Sequence, residues 1–192
     1  GEVVDAMCCV IDNPEAELPE IMEHLQGPDF PTAGLIMGKA GIRAAYATGR
    51  GKLTLRARTS IEEIKGRNCI IVDQIPYMVN KVLILKNIAQ LCKDKRIEGI
   101  YDLRDESDKD GLRIVIEYKR DANGQVILNQ LYKYTQLQDT CAVNMLALVN
   151  NEPKILSLPQ ILDHYIAHQQ SVIRRRTQFD LDKAEARAHI LE

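Results

Sequence analysis

A run of basic residues following an acidic stretch is the strongest candidate for binding chemistry in this sequence. Residues 1–38 hold eight carboxylates and no Lys or Arg, whereas residues 39–67 hold eight bases against Glu62 and Glu63, a local net charge of +6. The whole chain has a net charge of −2, so its composition hides this asymmetry. Cations clustered at this density are typical of surfaces that bind polyanions.

Six of these bases are predicted to contact the phosphates of duplex DNA. Such contacts need only cationic or N–H donors at phosphate spacing and no base specificity. Aromatic residues are scarce in the segment, which argues against stacking on single strands. We also expect Gly49 and Gly51 to let backbone N–H groups approach a phosphate. The predicted DNA-contacting residues are Lys39, Arg43, Arg50, Lys52, Arg56 and Arg58. The alternative is a basic face that is only solvated.

Two other patterns resemble metal sites. The acid-rich residues 105–111 match part of the spacing of a calcium-binding loop, but a strand-like alternation follows Gly111 where a helix would be needed. A polar turn between two strands is the preferred interpretation. His164 and His168 are four residues apart without the glutamate of a zinc-protease helix, so no metal ligand is predicted. Calcium uptake would instead indicate a metal-binding module.

Length and composition place the chain among globular proteins. Its 192 residues fit one domain with an appendage, and 45% hydrophobic residues suffice for an aliphatic core. We see no apolar run long enough to span a membrane. Five cysteines without a C-x-x-C pair indicate a reducing cytoplasm. Because the chain begins with Gly1, it is expected to be a piece of a longer protein.

The predicted elements mix short strands and helices without a βαβ rhythm, which favours an α+β fold. We predict helices at 14–25, 39–47, 80–95 and 126–134, and strands at 33–37, 52–58, 69–72, 112–118 and 143–149. In the strand at 52–58, alternation points Leu53, Leu55 and Ala57 inward and the cations outward. In the helix at 80–95, the predicted inward residues are Val82, Leu85, Ile88, Ala89 and Cys92.

A long helix is predicted at the end of the chain. Ser157 and Gln160 form a capping box, Pro159 lies in the first turn, and no helix breaker follows up to Glu192. Such a helix would be about 50 Å long, which exceeds the need of a globular domain. We therefore predict that an arm of the coiled-coil type follows the mixed α+β region.

Six sequence blocks resemble one family, in its order and over essentially the whole chain. They resemble the family of the DNA gyrase A subunit, which belongs to the bacterial type IIA DNA topoisomerases. The A subunit of topoisomerase IV shares several of them and is the close alternative. The blocks lie at residues 27–32, 48–52, 75–81, 103–111, 134–138 and 187–192, reading GPDFPT, TGRGK, IPYMVNK, LRDESDKDG, YTQLQ and RAHILE.

The resemblance implies a domain organisation and partners. Residues 1–26 resemble the tail of the winged-helix region, residues 27–156 the tower domain, and residues 157–192 the first arm of the coiled coil leading to the exit gate. The implied partners are double-stranded DNA, the gyrase B subunit and a second copy of the A subunit in a homodimer, with no membrane. No cofactor is expected in this part, since the family binds ATP and Mg²⁺ through the B subunit.

The same resemblance implies an ATP-dependent enzyme that breaks and rejoins DNA and alters its supercoiling. The family's catalytic tyrosine follows an arginine, yet none of the seven tyrosines here follows one. No catalytic residue is therefore predicted, and the chain alone is expected to be inactive. It would support and bind the arms of the gate-segment duplex. The rival hypothesis is a purely structural module that positions other domains without contacting DNA.

Overall fold

The computed structural model describes residues 1–191 and shows the α+β fold that the sequence predicts. Glu192, the last residue of the predicted arm, lies outside the described residues. The helices are α1 (Glu2–Asp12), α2 (Leu18–His24), α3 (Ala40–Thr48), α4 (Lys81–Lys93), α5 (Gly124–Tyr134) and α6 (Leu158–Leu191). The strands are β1 (Leu35–Ile36), β2 (Arg50–Arg56), β3 (Arg58–Ile64), β4 (Arg67–Gln74), β5 (Ile100–Asp105), β6 (Ile114–Tyr118), β7 (Gln138–Asn144), β8 (Leu146–Val149) and β9 (Glu152–Ile155).

The chain forms two compact units. The first unit comprises Gly1–Pro28, Arg43–Gly51 and the chain from Val143 onward. The second unit comprises Asp29–Ile42 and Lys52–Ala142. The family-derived boundaries after residues 26 and 156 remain predictions.

An antiparallel sheet in the order β3-β4-β6-β5 is the framework of the second unit. Lys65 and Gly66, both with positive φ, form the two-residue turn between β3 and β4, the turn geometry that matches the twist of a hairpin. The core on one face of the sheet combines β-branched strand residues with aliphatic residues from α4 and α5. Its fully buried members include Ile70, Val72, Ile114, Ile116, Ile84, Ile88 and Leu131.

The predicted inward face of α4 is partly wrong. Ile84 and Ile88 are fully buried, whereas Val82 is 53% exposed and Ala89 is exposed. The Asn80 side chain caps the helix by accepting from the N–H groups of Val82 and Leu83. Val82 therefore lies in the first turn, two residues and about 200° of rotation away from Ile84.

The predicted strand at 52–58 is interrupted at Ala57. Leu53, Leu55 and Ala57 are buried, as the alternation predicts. However, the Ala57 N–H donates to the Leu137 carbonyl at 2.7 Å, and Arg58 already belongs to β3. The predicted strand at 143–149 is likewise divided at Met145, whose N–H donates to the Gly49 carbonyl at 2.8 Å. Strands β3, β5 and β9, most of strand β7 and helix α1 were not predicted from the sequence.

In the first unit, α1 and α2 pack together and contact the start of α6. Their buried residues are Ala6, Val10, Ile21, Leu25, Leu158 and Leu162. Beyond Ile166 nearly every described residue of α6 is exposed. Only the start of this 34-residue helix is therefore covered by other described residues. None of the helices within residues 1–191 is long and apolar enough to cross a membrane.

The predicted capping box at the start of α6 is confirmed. The Ser157 N–H donates to Gln160 Oε1 at 3.0 Å, and the Gln160 N–H donates to Ser157 Oγ at 3.4 Å. These two bonds satisfy backbone donors that the helix itself leaves unpaired.

Ser157→Ala is expected to lower the free energy of unfolding of the first unit by about 1 kcal/mol, because one cap acceptor is lost. Urea unfolding followed by circular dichroism measures the change. Ser171→Ala, in the exposed middle of α6, is the matched control and should be neutral or slightly stabilising. Equal effects of the two substitutions would contradict a capping role for Ser157.

Candidate nucleic-acid interface

Lys39 and Lys52 belong to the second unit, where Gly41, two residues after Lys39, lies against the backbone of Lys52. Lys39 lies one position before the first residue of α3, so it is outside this helix, although the sequence predicted a helix at 39–47. A Cβ placed on Gly41 would overlap the Lys52 carbonyl oxygen, so the start of α3 lies directly against β2. Both lysine side chains are exposed and have no hydrogen-bond or ion-pair partner within residues 1–191.

Arg43 and Arg50 belong to the first unit and flank the end of α3. The Thr48 hydroxyl donates to the Ala44 carbonyl at 2.8 Å and accepts from the Arg50 N–H at 3.3 Å, which fixes the turn that carries Arg50. Both arginine side chains are exposed, and the part of the chain that the structure describes offers them no partner.

Gly49 is structural rather than a phosphate-binding residue. It has φ 80°, a left-handed conformation that favours glycine after a helix. A Cβ there would lie 2.5 Å from the Leu156 carbonyl oxygen. Its N–H already donates to the Ala45 carbonyl at 2.7 Å, so the expected approach of this N–H to a phosphate is wrong.

Arg56 is half-buried and held by uncharged partners in the second unit. Its Nε and Nη2 donate to Gln138 Oε1 at 2.9 and 2.7 Å. The guanidinium carbon lies 4.4 Å from the centroid of the Tyr132 ring. Neither partner is a carboxylate, so no ion pair among the described residues balances the Arg56 guanidinium.

Arg58 is balanced by a carboxylate instead. Its Nη2 lies 2.5 Å from Asp73 Oδ2, and its Nε also donates to both carboxylate oxygens. The hydrogen bond from Arg58 holds the pKa of Asp73 below its usual value, and the bond to Asp73 raises the pKa of Arg58. A bidentate pair of this kind neutralises the positive charge with which Arg58 would bind a phosphate.

The six predicted cations therefore differ in their surroundings. Lys39, Arg43, Arg50 and Lys52 are exposed and unpartnered within residues 1–191, Arg56 is held by neutral groups, and Arg58 is ion-paired. Sequence reasoning missed Gln138, Tyr132 and Asp73, which determine these differences. Their separations of 82, 76 and 15 residues from their arginines leave no local sequence signal.

A second charged cluster covers the other face of the sheet in the second unit. The buried Glu117 accepts from Arg104 at 2.6 Å and from Arg67 at 3.1 Å. The bond from Arg104 is the main reason that the pKa of Glu117 lies below its usual value. These charges pair with one another over buried Cys69 and Val115, so we assign the cluster to the structure of the sheet.

The acid-rich residues 105–111 form a polar turn between β5 and β6, as predicted. Asp105 and Asp108 accept from the N–H groups of Ser107 and Asp110 at 3.0 and 2.8 Å. Lys81, 2.8 Å from Asp105, lowers the pKa of that carboxyl to about 2. Among residues 1–191, no group of three or more His, Cys, Asp or Glu side chains is placed to hold a metal ion.

Comparison with known proteins gives consistent matches along the chain. The sequence model of the DNA gyrase/topoisomerase IV A subunit matches residues 1–192. The chain is 65% identical over 193 residues to the DNA gyrase A subunit of Clostridium acetobutylicum, covering 100% of the chain and 23% of that protein. It is 58% identical to the DNA gyrase A subunits of Halalkalibacterium halodurans and Streptococcus pneumoniae serotype 4, covering 100% of the chain and 23% and 24% of those proteins. The chain thus spans about a quarter of the length of these relatives.

Proposed function

Since the chain belongs to the family of the DNA gyrase/topoisomerase IV A subunit, we propose that it is part of the DNA breakage-and-rejoining subunit of a DNA gyrase. Within that protein, this part supports and binds the arms of the gate-segment duplex. One observation carries the proposal: Lys39, Arg43, Arg50 and Lys52 are exposed cations that no carboxylate within residues 1–191 neutralises.

The charge environment supports contact with phosphates rather than with bases. An exposed, unpaired cation can contact a phosphate without first breaking an ion pair within the protein, and the counterions released from DNA favour the contact. No helix of the segment presents a row of side chains suited to a groove, since α3 is short and Tyr46 and Ala45 are buried. Binding is therefore independent of sequence. Arg58 contributes least of the six cations, because Asp73 already balances it.

For the parent protein, the proposal takes the activity and the partners that the family resemblance implies. It is an ATP-dependent type II topoisomerase of the cytoplasm that alters DNA supercoiling, assembled from a homodimer of the A subunit together with the gyrase B subunit. ATP and Mg²⁺ act through the latter. Exposed apolar residues on α6, among them Ile173, Phe179 and Leu181, support its role as one arm of a coiled coil.

Strand cleavage belongs to another part of the parent protein. Covalent cleavage needs an activated nucleophile, and no tyrosine of this chain follows an arginine. The chain on its own therefore binds DNA without cutting it. The A subunit of topoisomerase IV is the alternative within the family, and a structural module without DNA contact is the alternative outside it.

Fluorescence anisotropy of the 192-residue chain with two labelled duplexes of unrelated sequence tests the proposal. We expect both duplexes to bind with equal affinity at low ionic strength, because phosphates carry no sequence information. Denaturing gels of the same mixtures should show no covalent adduct. Absence of binding at low ionic strength would support the purely structural module instead.

A further inference from the structure

We infer that Gln138 and Tyr132 are positioning residues that hold the Arg56 guanidinium ready to bind a DNA phosphate. The inference rests on the proposed function and assigns specific roles within it. Lys39 and Lys52 are exposed and have no side-chain partner within residues 1–191, whereas the Arg56 guanidinium is held by two side chains. All of the residues involved lie in the second unit.

The contacts hold the Arg56 guanidinium along one edge and against an aromatic ring. Gln138 Oε1 accepts from Nε at 2.9 Å and from Nη2 at 2.7 Å, which fixes one edge. The guanidinium carbon lies over the Tyr132 ring, 4.4 Å from the ring centroid. The ring is itself held, because the Tyr132 hydroxyl shares a 2.7 Å hydrogen bond with the Thr59 hydroxyl.

This arrangement leaves Arg56 its charge and most of its donors. A guanidinium has five N–H donors, and Gln138 engages only one on Nε and one on Nη2. The other donors have no partner within residues 1–191, and Nη1 lies outside the Gln138 contact. The remaining Nη1 and Nη2 donors form a fork that fits two phosphate oxygens. In Arg58 the same Nε and Nη2 edge is engaged by the Asp73 carboxylate, which balances the positive charge that a phosphate would otherwise meet.

Hydrogen bonds of the backbone and of the Thr135 side chain bring Gln138 opposite Arg56. The Ala57 N–H donates to the Leu137 carbonyl at 2.7 Å, next to both residues of the pair. Leu137 is fully buried, and its own N–H donates to the Thr135 hydroxyl at 3.2 Å. That hydroxyl donates to the Leu131 carbonyl at 2.6 Å, which ties the segment to the end of α5. These hydrogen bonds fix the chain after α5 in a position from which the Gln138 side chain reaches Arg56.

Gln138→Glu separates positioning for DNA from a structural role. The glutamate still accepts from Arg56, so the fold keeps its contact, but its negative charge neutralises the guanidinium. We expect duplex affinity to fall about tenfold, and the slope of log K against log[salt] to become less negative by about 0.9, one phosphate contact. Gln138→Leu removes the hydrogen bonds to the guanidinium but leaves the positive charge of Arg56. Duplex affinity should therefore fall about threefold, with the slope of log K against log[salt] unchanged. Anisotropy over a salt series measures both quantities, and urea unfolding confirms that each variant is folded.

Gln125→Glu, on the exposed side of α5, is the matched control because it adds the same charge away from Arg56. It should bind as the native chain does. If the native chain binds duplex DNA and Gln138→Glu binds as tightly as Gln125→Glu, the positioning role is wrong while the proposed function stands. If the native chain does not bind at all, the proposed function and this inference fail together.

Discussion

The chain carrying both Lys39→Glu and Lys52→Glu is expected to bind duplex DNA about a hundredfold more weakly than the native chain. Each reversal removes one phosphate contact, at a cost of about 1.4 kcal/mol, and sets a carboxylate against the duplex. Both lysines are exposed and unpartnered within residues 1–191, so the fold should not be disturbed. Anisotropy at one low salt concentration measures the loss.

The matched control is Lys86→Glu with Lys109→Glu, which changes the net charge of the same unit by the same amount. Lys86 lies on α4 and Lys109 in the turn between β5 and β6, and both are exposed. This control should lose only the small, long-range part of the affinity. A loss equal to that of the Lys39 and Lys52 variant would mean that overall charge, rather than the proposed surface, attracts the duplex.

Leu131→Ala is expected to lower the free energy of unfolding of the second unit by about 3 kcal/mol. The Leu131 side chain is fully buried in the core between α5 and the sheet, so truncation leaves a cavity that the neighbours fill only in part. Since Tyr132 is the next residue of α5, the same variant should also loosen the hold on Arg56. Urea unfolding monitored by circular dichroism gives the stability change.

Val126→Ala on the same helix is the control for that substitution. Val126 is 52% exposed, and alanine has the higher helix propensity, so its unfolding midpoint should stay close to the native one. If Leu131→Ala were as stable as Val126→Ala, the described core of the second unit would be incorrect.

Local patterns in the sequence predicted much of the architecture. The capping box located the start of α6 within a residue, and alternation identified Leu53, Leu55 and Ala57 as buried. The six family blocks predicted the family that the comparisons confirm. These features succeed because each depends on residues close together in the chain or on a motif that the family shares.

The surroundings of the candidate cations could not be predicted in the same way. Alternation placed Arg56 and Arg58 on one cationic strand face, yet the break at Ala57 puts them in different strands with different partners. That break depends on a hydrogen bond to Leu137, eighty residues further along the chain. Long-range pairing of this kind has no period in the sequence, so only the folded structure separates a balanced arginine from an available one.

The salt dependence of duplex binding by the native chain tests the central claim most directly. If the exposed cations and Arg56 together neutralise about four phosphates, log K plotted against log[salt] should be linear with a slope of about −3.6. The measurement is fluorescence anisotropy with a short labelled duplex, repeated from low to physiological ionic strength. A slope near zero, or no binding at the lowest salt, would contradict the account and leave the basic segment as a solvated face.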